Sequence, residues 1–201
     1  MRRLALFIVA LAALVGGTIA LVLVLTRGGE TTDLRGARAP EGFSLPGFSL
    51  RDADGGRVAR DDLRGKASVV TFLESRCKEA CPVIATQVSR ALAMLSPAER
   101  SRVAALAIST NPRDDTPASV RAFLRREHAD PALRYLIGTE RELRPVWKAF
   151  LVASALDSGD ADVHSAPVRL YDRSGRWVST FYAGVNLTPA ALRHDLLEVL
   201  G

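Results

Sequence analysis

Cys77 and Cys81 are the chain's two cysteines, and they stand in a C-x-x-x-C spacing. They follow Val69-Val70-Thr71-Phe72-Leu73, an apolar run with the pattern of a buried strand. Pro82 comes directly after the second cysteine. Proline suits the first turn of a helix, where its missing N–H has no partner to lose. The expected arrangement puts Pro82 first in the helix, Cys81 at the cap and Cys77 on the preceding turn. Helix N-termini carry unpaired N–H groups and a positive potential, which favour thiolate over thiol. Thiolate is the form that attacks disulfides and binds metal ions. The spacing lets both sulfurs converge on one ion, and it also permits a disulfide. As a mere staple such a bond would do little, because closing so small a loop removes little chain entropy.

Thiolates are soft ligands that select Cu(I), zinc or iron–sulfur centres, and imidazole suits copper and zinc. Two sulfurs and one nitrogen fit three-coordinate Cu(I), whereas structural zinc takes four ligands and no fourth Cys or His is evident. The chain has three histidines. His194 falls in the last predicted helix, off its Leu192/Leu196/Leu197 face, and is expected in solvent. His128 falls at a helix end, where a cation interacts favourably with the dipole. His164 follows the small and acidic loop Ser158-Gly159-Asp160-Ala161-Asp162-Val163, directly before a predicted strand. By its own surroundings it reads equally as a ligand or as an ordinary loop histidine.

The elements that must position these groups are legible from pattern and caps. Gly42 to Leu50 and the Asp54-Gly55-Gly56 turn signal suggest an N-terminal hairpin. Ile84, Val88, Leu92 and Leu95 recur at helical spacing after Pro82. Ser96-Pro97-Ala98-Glu99 and Thr139-Glu140-Arg141-Glu142 have capping-box form, and Thr116-Pro117 and Thr188-Pro189 are further helix starts. Val103 to Ser109 reads as a strand. Val168 to Tyr171 and Trp177 to Tyr182 read as strands around a turn at Ser174-Gly175. The order is strand, helix, strand, helix, helix, strand–strand, helix. That predicts an α/β fold, a mixed sheet flanked by helices, in thioredoxin-like outline with N-terminal additions.

Residues 4–25 run without a charge, and at ~1.5 Å per residue a helix of that length crosses a ~30 Å hydrocarbon core. Arg2 and Arg3 precede the stretch and Arg27 follows it. The positive-inside rule places the N-terminus in the cytoplasm and the domain on the extracytoplasmic side of the cell membrane. A cleaved signal peptide is the competing reading, but its apolar region usually spans only about 7–15 residues. The expected division is a single-pass anchor over 1–26, a flexible linker over 27–40 and one domain over 41–201. The linker assignment rests on polar composition without apolar periodicity. The formal charge is +5 with a pI near 9.8, and the charge is scattered arginine interspersed with Asp and Glu. Nucleic-acid binding would need clustering on one face, so no nucleic-acid partner is expected. The domain is expected to be monomeric.

Several of these segments, in consistent order over roughly residues 42 to 200, resemble the SCO/SenC family of cytochrome c oxidase assembly proteins. The matching pieces are Val69-Val70-Thr71-Phe72 with Cys77-Lys78-Glu79-Ala80-Cys81-Pro82, then Ser109-Thr110-Asn111-Pro112-Arg113-Asp114-Asp115-Thr116-Pro117. Val163-His164-Ser165 follows, ahead of Val168 to Arg176. The resemblance implies a thioredoxin-like fold and copper held by Cys77, Cys81 and His164. It also implies delivery of copper to the binuclear copper centre of the oxidase's copper-bearing subunit, or reduction of that centre's cysteines. Departures from the family pattern are Lys78 for Pro, Glu79 for Asp, Asn111 for Asp, and Leu73-Glu74-Ser75-Arg76 for an aromatic-rich run. Lys78 and Arg76 are expected to favour thiolate further by their charge.

A non-enzymatic copper carrier is thus the leading expectation. A thiol–disulfide oxidoreductase with Cys77 and Cys81 as its redox-active pair is the alternative, although thioredoxins use C-x-x-C. An inert pair in an interaction domain is the third reading. The Thr-x-x-Cys setting of a peroxidase is absent.

Overall fold

The computed structural model describes residues 33–158 and 166–201. His164 and the apolar stretch over 4–25 lie outside the described residues. Among the described residues, no helix is long and apolar enough to cross a membrane.

Residues Leu34–Gly201 form one compact unit. Its centre is β4 (Ala67–Leu73), every residue of which is buried. A strand covered on both faces has no solvent side to reward polar alternation, and its sequence accordingly reads as a near-continuous apolar run. β4 pairs in parallel with β5 (Val103–Ser109), and β5 in parallel with β6 (Arg134–Ile137). On its other side β4 meets β7 (Val168–Tyr171) and β7 meets β8 (Trp177–Phe181), both antiparallel. The hairpin β2 (Ser49–Asp52) and β3 (Arg57–Ala59) joins through β2 to β6. With β1 (Ala37–Arg38) on β8, the strand order is β1-β8-β7-β4-β5-β6-β2-β3.

Helices α1 (Ala80–Ala93), α3 (Pro117–Arg126) and α6 (Pro189–Leu200) cover one face, with α2 (Pro97–Ser101) a short turn of helix between α1 and β5. Ile84, Val88, Phe123 and Leu192 pack there against Val69, Leu73, Ala107 and Leu170. α4 (Glu140–Ala149) covers the other face, where Leu143, Trp147 and Phe150 meet Val70, Phe72, Ile108 and Leu136. α5 (Ala155–Ser158) follows it. The mixed, thioredoxin-like sheet with flanking helices agrees with the expectation from the sequence. The caps agree in detail. The hydroxyls of Ser96, Thr116, Thr139 and Thr188 accept from the backbone N–H groups of Glu99, Ser119, Glu142 and Ala191.

Two strands differ from the sequence reading. β6 was not anticipated: Arg134-Tyr135-Leu136-Ile137 is only four residues long, too short for a periodicity to emerge. The segment read as the end of the linker carries β1, whose Ala37 and Arg38 pair with Thr180 and Ser179. A two-residue edge strand with exposed side chains leaves no hydrophobic pattern to detect.

The segment before β1 is held instead by a buried carboxylate. Asp195 of α6 accepts the N–H of Arg35 at 2.7 Å, the N–H of Gly36 at 3.1 Å and the hydroxyl of Ser179 at 2.8 Å. Nδ1 of the half-exposed His194 lies 3.3 Å from the same carboxylate. Gly36 is required there, because a Cβ would fall 2.9 Å from the Phe181 ring. Asp195→Asn replaces an acceptor of two N–H groups by an amide with one acceptor and a donor. The expected result is a loss of about 1–3 kcal/mol, read by urea denaturation, and faster hydrogen exchange at Arg35 and Gly36. Unchanged protection at both amides would contradict the latch.

Candidate metal centre

β4 ends at Leu73, and its chain continues through Glu74, Ser75 and Arg76 to Cys77 before α1 begins. The helix starts two residues earlier than the sequence suggested: Glu79 is the N-cap, and Cys81 and Pro82 lie inside the first turn. Glu79 supplies no side-chain cap. The N–H of Cys81, an orphan donor of the first turn, instead donates to Sγ of Cys77 at 3.3 Å. The cysteines are thus brought together at the helix start, both as thiols, with exposures of 2% and 0%.

The electrostatics of Cys81 depart from expectation. The adjoining Cys77 thiol, burial and the nearby Glu74 charge push the Cys81 thiol well above the ordinary range, against a lowering contact with the Glu74 backbone. Desolvation penalises the charged form of the whole buried side chain. Arg76, expected to favour thiolate, is turned to Asp114 at 2.8 Å.

The loop that carries the cysteines is fixed by the segment after β5. Asp115, buried, accepts the backbone N–H of Ser75 at 2.8 Å, the hydroxyl of Ser109 at 2.6 Å and the hydroxyl of Tyr135 at 2.9 Å. Burial raises the Asp115 carboxyl above its usual range despite these donors. The Thr110 N–H donates to the Leu73 carbonyl at 3.0 Å. The Trp147 indole N–H donates to the Ser109 carbonyl at 2.8 Å and ties α4 to the same corner.

Asn111 accounts for one departure from the family pattern. Its amide nitrogen donates to Glu74 at 3.1 Å and to Asp114 at 2.9 Å. An aspartate there would set a third carboxylate between two others. The amide supplies the donor that a fully buried Glu74 requires. Neither Glu74 nor Asp115 emerged from the sequence as a site-shaping group. Their order in the chain was visible, but their burial was not.

Of the three predicted metal ligands, Cys77 and Cys81 are brought together, and His164 lies outside the described residues. Among the described residues no group of three His, Cys, Asp or Glu side chains gathers as a metal site. His128 ends α3 in a left-handed conformation (φ 52°), and its carbonyl accepts from Ser89 at 2.7 Å.

The family model described as SCO1/SenC matches residues 38–200. A SCO2-like protein of Rickettsia prowazekii is 26% identical over 145 residues, covering 69% of each chain. The structure of Bradyrhizobium japonicum ScoI with copper bound is 30% identical, with a TM-score of 0.66 over 78% of this chain and 99% of that one. The crystal structure of yeast Sco1 with copper bound is 25% identical, with a TM-score of 0.65 over 79% of this chain and 89% of that one. The match takes in the cysteine loop, the segment that buries Asp115 and the final helix, and the chain belongs to the SCO1/SenC family.

Proposed function

We propose that this protein is a copper chaperone for cytochrome c oxidase assembly, carrying copper on Cys77, Cys81 and His164. The observation that carries the reading is the sulfur pair itself, joined through the Cys81 N–H at 3.3 Å and buried at the start of α1. The donor set suits the cargo. Two soft sulfurs, both buried, favour Cu(I), and an imidazole completes three-coordination. Copper-bound ScoI and Sco1 at 30% and 25% identity support the choice of metal. The domain would work outside the cytoplasm, tethered by residues 1–26 to the membrane that holds the oxidase, whose copper-bearing subunit is the acceptor. Both thiols must lose their protons on loading, so burial of Cys81 couples uptake to proton release.

Thiol–disulfide exchange ranks second. It needs an accessible thiolate, whereas both sulfurs are buried and the Cys81 thiol is raised. A titration of the reduced full chain with Cu(I) against a competing chelator separates the two. The expected result is one copper per chain, with affinity falling by more than about a hundredfold in His164→Ala, beyond the usual cost of an outer-shell change. Affinity indifferent to His164 would remove the histidine from the site.

A further inference from the structure

The end of the sheet away from the cysteines holds a basic cavity of about 250 Å³. Leu45, Leu63 and Ser68 line it together with Arg60, Arg64, Lys66 and Arg173, and no Asp or Glu does. It opens beside the first residues of β4, whereas the cysteine loop leaves the last, so the sites lie about 20 Å apart at ~3.3 Å per strand residue.

The charges around it are unevenly matched. Arg64 is neutralised by Asp61 at 3.0 Å. Arg173 donates to the Gly65 carbonyl at 3.2 Å and, among the described residues, meets no carboxylate. Among the described residues Arg60 and Lys66 have neither an ion pair nor a side-chain hydrogen bond. Of the nearby carboxylates, Asp172 is paired with Arg176, while Asp62 accepts only the Ala59 N–H at 2.8 Å and keeps its charge. Ser68 lines the cavity beside the basic side chains, and its hydroxyl, which makes no hydrogen bond among the described residues, is available at the cavity surface.

We infer that this cavity binds a phosphate-bearing small anion, with Arg60, Lys66 and Arg173 supplying the charge and Ser68 a hydrogen bond. A phosphate group carries about −1.5 to −2 at neutral pH, which matches the surplus of two positive charges that the four basic side chains leave over Asp61 and Asp62, and guanidinium forks suit its oxygens. A pocket of that volume admits a phosphate with a short appended group.

The test is calorimetric titration of inorganic phosphate into the full chain held in phosphatidylcholine nanodiscs. The expected result is saturable one-to-one binding that weakens at least about tenfold in the Lys66→Gln/Arg173→Gln double variant and several-fold in Ser68→Ala. Lys148→Gln, on the exposed side of α4, should leave it unchanged. A double variant with unaltered near-ultraviolet circular dichroism excludes misfolding as the cause. Absence of saturation at tens of millimolar, or equal weakening in Lys148→Gln, would overturn the inference. Repeating the titration in nanodiscs that contain phosphatidylglycerol identifies the source. Weaker phosphate binding there assigns a lipid headgroup to the cavity, and unchanged binding assigns a soluble phosphate ester.

Discussion

Replacing Asp115 by alanine is expected to destabilise the domain by about 3–5 kcal/mol and to weaken copper binding by about 10–100-fold. The carboxylate accepts from the Ser75 N–H, the Ser109 hydroxyl and the Tyr135 hydroxyl, all within 2.9 Å and all buried. Each stranded donor costs about 1–3 kcal/mol. The serine hydroxyl can rotate to another acceptor, so the sum falls below three full penalties. The Ser75 N–H cannot, and it belongs to the loop that aims Cys77. Urea denaturation reads the first effect and a Cu(I) competition titration the second. Asp115→Asn retains one acceptor and should fall between wild type and alanine in both. Full stability in Asp115→Ala would show that the carboxylate does not fix the loop.

Cys77→Ser and Cys81→Ser should each abolish tight Cu(I) binding, by well over about a hundredfold, since losing a ligand exceeds the 10–100-fold cost of losing an outer-shell partner. A serine hydroxyl is a hard, protonated donor where Cu(I) requires soft thiolate. Cys77 Sγ also accepts the Cys81 N–H. Cys77→Ala removes that acceptor and Cys81→Ser leaves it in place, so hydrogen exchange at residue 81 should accelerate in Cys77→Ala only. Tight one-to-one binding that survives either substitution would contradict the sulfur pair as the copper site.

The strands and caps were legible because each rests on local signals. β4 declares itself by an unbroken apolar run, and Ser96, Thr116, Thr139 and Thr188 sit three residues ahead of the N–H groups they accept. Strand β6 and the β1 pairing were not legible, since four residues and two residues cannot display a period. At the site, the strand–cysteine–helix order was visible, but the protonation preference of Cys81 was misjudged. Sequence order reveals the helix terminus, whereas burial and the adjacent Cys77 thiol arise only from packing. The Ser109-to-Pro117 segment was recognised by resemblance alone. Its physical task, holding Ser75 through Asp115 and Glu74 through Asn111, depends on contacts 37 or more residues apart.

The central claim is that copper is held by two sulfurs and one imidazole. X-ray absorption at the copper edge of the Cu(I)-loaded full chain, with His164→Ala measured in parallel, tests it most directly. The account predicts two sulfur scatterers and one imidazole nitrogen in the wild type, with the nitrogen shell lost in the variant. A spectrum of sulfur alone, identical in both, would contradict it.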